Sequence, residues 1–316
     1  MTPATGLARL LAEAFGDRAQ AGAELAPLTT FKVGGRADWL VSVQGADELQ
    51  RVVTIAASAG APLTILGGGS NVLIADAGIR GIVVRPRGGT VERTADGFVR
   101  ADAAVTINGL VRWTVNRGVA CIEDWAGTPG TVGGAIHGNA HFQGRNVGDL
   151  IDRVRLIDRS GCMHDVSAGE MEFGYDYSRL QRTREIVVWA AFRARDGEVA
   201  VLREAARRSL AFRKRTQPLE SPSAGCIFQN PDSARDRVPP GIPPSAGALV
   251  DRAGLKGVRE GRARVSPTHA NFIVNEGGAT AAEIRALIER CKRDVLREHG
   301  VALREEIVYL GFDDGP

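Results

Sequence analysis

Leu66-Gly67-Gly68-Gly69-Ser70-Asn71 lies between two apolar segments, Ala61 to Leu66 and Val72 to Ala75, and reads as strand, turn, strand. Three successive residues without a Cβ take positive φ freely and let their N–H groups approach something bulky and anionic, while Ser70 and Asn71 add side-chain donors. Each N–H placed on a phosphate oxygen would contribute about 1.5 to 3 kcal/mol. The run also suits a loose hairpin connection, so taken alone it leaves both readings open. It is not a P-loop, because no Gly-Lys-Ser/Thr follows. It is not a Rossmann fingerprint either, because Val72 stands where the third glycine belongs and a strand, not a helix, comes next. A phosphate cradle here belongs to another fold.

Outward from this run the chain alternates helix and strand. Leu7, Leu10, Leu11, Ala14 and Phe15 recur at helical spacing, Ala37 to Val43 reads as a strand, and Asp47 to Ala59 as a helix closed by Gly60. Past Gly81 come short strands at 82–85, 90–94 and 98–101, a helix at 108–117, and a second bare stretch with glycines at 127, 130, 133, 134 and 138. A segment so poor in side chains points to a large ligand held close, with Gly133 and Gly134 at the start of a helical turn. Strands follow at 154–158, 164–166 and 185–193. A basic helix at 201–214 is expected to bury Leu202, Ala205, Ala206, Ser209 and Leu210 and to turn its arginines to solvent. Pro218 to Pro222 reads as a linker and 231–244 as an exposed proline-rich loop. Thr280 and Glu283 form a capping box before a helix to His299, and 306–310 reads as a last strand returning to an earlier sheet.

Composition narrows the function. The 316 residues are 44% hydrophobic and 24% charged, an ordinary globular balance with room for two or three domains. A net charge of +3 suits an anionic small ligand but is no basic stripe, and 5% aromatic content offers no stacking platform, so nucleic acid is not an expected partner. No apolar run approaches about 18 residues and Met1 to Leu10 lacks a signal pattern, so a cytoplasmic chain without membrane insertion is expected. Cys121, Cys162, Cys226 and Cys291 are scattered and suggest neither zinc nor disulfides. His137 and His141 share an i, i+4 spacing but lack a third ligand, so no metal is expected. Without a heptad seam, a monomer is expected.

Taken in order, the motifs resemble the UDP-N-acetylenolpyruvoylglucosamine reductase family over nearly the whole chain. The resemblance rests on Thr30-Phe31-Lys32-Val33-Gly34-Gly35, on Leu66 to Asn71, and on Gly127 to Ala135 with Asn139. It continues through Pro218-Leu219-Glu220, Ala224 to Pro231, Ala253 to Gly257, His269 to Asn275, and Gly300 to Ile307 with Gly311. It implies an α+β chain: a vanillyl-alcohol-oxidase-like FAD-binding fold in two α/β subdomains, 1–80 and 81–211, and a smaller substrate domain at 212–301, with the segment 302–316 returning to the first. It implies FAD and NADPH as cofactors and a UDP-sugar enolpyruvyl ether as substrate, reduced on the way to peptidoglycan. FAD contacts are implied at Gly34, Gly35, Leu66, Gly67, Gly68, Gly69, Ser70, Asn71, Gly127, Thr128, Pro129, Gly130, Gly133, Gly134, Ala135 and Asn139.

Cys226 takes the place of the family's proton-donating serine, and a thiol, mostly protonated at neutral pH, can still donate. Glu306 matches a second catalytic carboxylate, with Glu305 adjacent. Tyr175, Arg213 and Asn230 are implied substrate contacts. Asp176 stands where the resemblance implies an arginine that neutralises the substrate carboxylate, which leaves three readings: another cation such as Arg179 or Arg182 serves, Asp176 points away, or the reaction has changed. His141 and Gln143 also depart from the family pattern after Asn139. The alternatives are a flavin oxidoreductase of the same fold acting on another anionic or sugar substrate, and a non-catalytic flavin or nucleotide-sugar binder.

Overall fold

Ile186–Phe192 is an almost unbroken apolar run, and a strand of that kind needs both faces covered. The computed structural model, which describes residues 3 to 312, places it at the centre of a five-stranded antiparallel sheet. The order is Met163–Ser167, Ile151–Ile157, Ile186–Phe192, Val99–Asp102, Val91–Arg93. Val187, Ala190 and Phe192 enter one core with Leu110, Trp125 and Ile136, while Ile186 and Val188 enter another with Val52, Ile82 and Val84. This second core joins the sheet to a four-stranded one, in the order Ala19–Ala21, Ala37–Gln44, Ile79–Arg87, Leu63–Ile65. Over it lies the helix Gly45–Ala59, burying Leu49, Val52, Val53 and Ala56 and ending at Gly60 in the left-handed conformation, as the spacing predicts.

These elements form one compact unit: the chain up to Ala23, Ala37–Gly68 and Arg80–Phe212. The other unit comprises Glu24–Arg36, Gly69–Ile79 and the chain from Arg213 onward. Its core gathers Ile284, Leu287, Ile288 and Val295 from the helix Ala281–His299 with Ala263, Val265 and Ile273 of a three-stranded sheet, and takes in Phe31, Val33 and Leu73 from the two early segments. Those segments are tied in by polar contacts. Asn275 Nδ2 donates to Phe31 O at 2.9 Å, and the Asp76 carboxylate accepts the N–H groups of Ala281 and Ala282 at 2.8 and 3.0 Å, complementing the positive helix end. The capping box of Thr280 and Glu283 is present.

The strands flanking the first glycine run do not form a hairpin. Leu63–Ile65 pairs in parallel with Ile82–Val84, whereas Val72–Ile74 pairs in parallel with Val308–Leu310, so the run passes from one unit to the other. The helix Val199–Thr216 also corrects an expectation. Leu202, Ser209 and Arg213 are the buried positions, while Leu210 is 36% exposed. Leu202, Ala206, Ser209 and Arg213 lie four, three and four residues apart and share one stripe, which carries an arginine inward. The proline-rich loop is not simply exposed: Arg304 forks onto Asp236 at 2.5 and 3.1 Å, and Val238 and Ile242 pack on the core.

Candidate functional site

In the first unit the two glycine stretches meet. A Cβ on Gly67 would stand 2.7 Å from Thr131 Oγ1, and one on Gly68 would stand 2.6 Å from the Cα of Gly130. Glycine is required at 68 by the backbone of the other loop and at 67 by the Thr131 side chain. The N–H groups are a separate matter. Leu66 donates to Val84 O at 2.8 Å, but among the described residues no acceptor takes the N–H groups of Gly67, Gly68, Gly69, Ser70 or Asn71. Gly67, Gly68, Ser70 and Asn71 are half-buried, so these donors stay out of the protein's own hydrogen bonds without being sealed in its interior.

The second stretch spends most of its donors at home. Gly127 N–H goes to Asn108 Oδ1 at 2.7 Å, Val132 to Val105 O at 2.8 Å, Gly133 to Ala103 O at 2.9 Å and Gly134 to Thr131 Oγ1 at 3.4 Å. Gly133 and Gly134 do stand in the first turn of the helix Val132–His137, and their N–H groups are bonded within the protein. Gly133 is small because a Cβ would press on Ala103 at 3.1 Å, and Thr131 caps the helix Val132–His137. Asn139, expected at the cofactor, is 2% exposed and uses its amide inside the protein. Its Oδ1 accepts from Gly148 N–H at 2.8 Å and its Nδ2 donates to Gly174 O at 2.7 Å.

Gly174 is the base of a tight turn, bonded both ways to Tyr177, with Tyr175 and Asp176 at its tip. Asp176 takes φ 52°, and its side chain, 8% exposed, accepts from or pairs with His141 Nδ1 at 2.9 Å. The ring of Tyr175 lies 4.8 Å from that of His141. The two cations proposed from sequence to replace the arginine are committed elsewhere. Arg179 grips Glu185 at 3.0 and 3.1 Å, and Arg182 holds Glu172 at 2.7 Å. Sequence reasoning missed the His141–Asp176 pair, although both positions depart from the family pattern, and that coincidence was the available signal.

In the second unit, Cys226-Ile227-Phe228 runs antiparallel to Glu305-Glu306-Ile307. Glu306 N–H donates to Ile227 O at 2.8 Å, Phe228 bridges to Glu305, and Asn71 Nδ2 holds Glu306 O at 3.0 Å. Cys226 and Glu306 are both half-buried on these paired segments. The carboxylate of the adjacent Glu305 receives Lys292 Nζ at 2.9 Å. Arg213 is 6% exposed; burial lowers its guanidinium to about 10 and the nearby Cys226 sulfur works in the other direction, so the group stays charged at neutral pH. Burial pushes the thiols of Cys121 and Cys291 up to about 12, which removes both as nucleophiles. Asn230 is exposed and its Oδ1 accepts from Ala246 N–H at 3.1 Å. Gly34 and Gly35 owe their identity to close packing within this unit: a Cβ on Gly34 would meet Ile74 Cβ at 2.8 Å, and one on Gly35 would meet Asp76 O at 2.2 Å.

Comparison with known proteins gives two family matches, an FAD binding domain over residues 37–167 and the UDP-N-acetylenolpyruvoylglucosamine reductase C-terminal domain over 217–310. A reductase of that name from Heliobacterium modesticaldum is 37% identical over 91% of this chain and 89% of its own length. One from Gloeobacter violaceus is 37% identical over 93% and 97%. The crystal structure of the Thermus caldophilus enzyme superposes with a TM-score of 0.76 at 32% identity, covering 91% of this chain and 97% of that one. No helix among the described residues is long and apolar enough to cross a membrane.

Proposed function

The chain belongs to the UDP-N-acetylenolpyruvoylglucosamine reductase family, and from that premise we propose how its own residues divide the reaction among them. The activity is the FAD-dependent reduction of UDP-N-acetylenolpyruvoylglucosamine to UDP-N-acetylmuramate with NADPH, in peptidoglycan precursor synthesis. The residues present fit FAD: the unspent N–H groups of Gly67 to Asn71 suit a pyrophosphate, and the closely packed Gly67, Gly68 and Gly130 leave no side chain in its way. When bound, FAD supplies hydride transfer between NADPH and the enolpyruvyl double bond.

Hydride addition to the terminal carbon of that double bond leaves negative charge on the neighbouring carbon and its carboxylate, and a proton must follow. Cys226 holds that proton at Sγ. Arg213, the buried cation beside it, favours the thiolate left behind. Glu306 is the second carboxyl group of the reaction, and Tyr175 and Asn230 orient the UDP-sugar. Gly127, Thr128, Pro129 and Ala135 shape the cofactor loop, and Gly133, Gly134 and Asn139 hold it in form. The work is assigned to the cytoplasm, where NADPH and nucleotide sugars meet, and to a monomer. The observation that carries these roles is the direct pairing of the Cys226 and Glu306 segments through Ile227.

The test is anaerobic. Protein carrying oxidised flavin is reduced with NADPH and then given the enolpyruvyl substrate, and the return of the oxidised spectrum is followed. Wild type returns rapidly, Cys226→Ser returns, and Cys226→Ala slows return by about 100-fold or more. A Cys226→Ala protein that reoxidises at the wild-type rate removes the thiol from the mechanism.

A further inference from the structure

Cys226 stands one residue before a bend at Ile227. In a regular strand a residue sends its N–H and its C=O to the same neighbour. Ile227 instead donates its N–H to Asn271 O at 2.8 Å, while its C=O accepts from Glu306 N–H, also at 2.8 Å. A ladder broken in this way does not by itself fix the path of the chain between the thiol and the segment that carries Glu306. The side chain of Asn271 supplies the missing hold. Its Oδ1 accepts from Phe228 N–H at 2.9 Å and its Nδ2 donates to Phe228 O at 2.7 Å, so one amide does for Phe228 what a peptide group of a neighbouring strand would do. Asn271 is 3% exposed, and at that depth an unpaired amide or backbone group is costly. The clamp is itself held. Cys226 and Phe272 bridge each other, Phe272 N–H closes a turn on His269 O at 2.9 Å, and the buried Ser266 accepts the N–H groups of Thr268 and His269 at its Oγ, at 3.2 and 3.3 Å. All of these residues belong to the second unit.

We propose that Asn271 is a positioning residue for the reduction: by holding both backbone groups of Phe228 it fixes the register of Cys226 against Glu306, and with it the point from which the thiol delivers its proton. This rests on the reading of Cys226 as proton donor. Asn271 gives up no proton of its own, and each end of its amide is bonded to Phe228, so it acts through the Cys226 segment. Misplacing a reacting group by about 1 Å costs on the order of 100-fold in rate, and a backbone clamp two residues away is enough to cause such a shift. The loss belongs to the step in which the substrate takes its proton and not to the step in which NADPH reduces the flavin.

The experiment measures the two half-reactions of the FAD-loaded full chain separately, in Asn271→Asp and in the Cys226→Ala background. Asn271→Asp keeps the size of the side chain and the acceptor for Phe228 N–H but sets an oxygen against Phe228 O. Flavin reduction by NADPH is expected to stay within about twofold of wild type, while reoxidation by the enolpyruvyl substrate slows by about 10- to 100-fold. In Cys226→Ala protein the same substitution is expected to add no more than about twofold, because the group it positions is gone. Unchanged reoxidation in Asn271→Asp, an equal loss in both half-reactions, or a full further loss in the Cys226→Ala background overturns the proposal. Should Asn271→Asp fail to fold, Asn271→Ser, whose hydroxyl is too short to span both groups of Phe228, decides by the same comparison. Wild-type reoxidation in Cys226→Ala alone overturns the proton-donor reading itself, which separates the two failures.

Discussion

Leu66 to Asn71 and Gly127 to Gly134 look alike as strings of glycine, yet the protein uses them in opposite ways. The first keeps the N–H groups of Gly67 through Asn71 out of its own hydrogen bonds, while the second gives those of Gly127, Val132, Gly133 and Gly134 to the protein. The first is a donor surface. The second is a wedge that shapes it, pressing Gly130 and Thr131 against Gly68 and Gly67. Glycine thus answers two demands, free donors in one loop and backbone approach in the other, and composition alone does not separate them.

Substitutions can break this contrast. Gly68→Ala should do the most damage, because its Cβ would come within 2.6 Å of the Gly130 Cα and backbone cannot swing aside. The overpacking should cost about 1 to 3 kcal/mol and, by parting the loops, weaken FAD binding by about tenfold or more, read by flavin release in a dilution series. Wild-type affinity in that variant would mean that the wedge does not shape the donor surface. Gly133→Ala should be milder, with contacts at 3.1 and 3.3 Å to Ala103 and an N–H already bonded. About 1 kcal/mol of stability should go in thermal unfolding while flavin affinity stays, and a selective loss of flavin would make Gly133 a ligand contact after all. Gly134→Ala is the smallest change and the sharpest. A Cβ there meets nothing nearer than Thr131 Oγ1 at 3.6 Å, so the protein should be unchanged or more stable by up to about 1 kcal/mol, with flavin affinity intact.

A second contrast lies between two pairs of residues, Cys226 with Glu306 and His141 with Asp176. Sequence singles out Cys226 and Glu306 because each sits in a motif with matching neighbours. The resemblance makes Arg213 a substrate contact, while the helix's charge pattern turns every arginine to solvent. Helical period places Arg213 on the stripe of Leu202 and Ser209, and charge argued against burial; the stripe prevailed. The His141–Asp176 pair spans 35 positions, and neither residue has a local pattern that points to the other. Arg179 and Arg182 looked available for the reverse reason, since Glu185 and Glu172 gave no sign in sequence that they would hold them.

The sequence by itself determined what depends on near neighbours. It set the helix to Ala59 with its glycine stop, the capping box at Thr280, the strand segments either side of Gly67 to Gly69, and the series of motifs that identifies the family. These follow from periodicity, capping and backbone sterics within a few residues. Tertiary structure alone decided which strand each segment joins, which N–H groups remain for a ligand, and which charges cancel. Each of those outcomes is a competition among partners far apart in the chain. Val72–Ile74 follows the glycine run directly but takes Val308–Leu310 as its partner, because hydrogen bonding and burial reward whichever complementary surface the folded chain brings alongside.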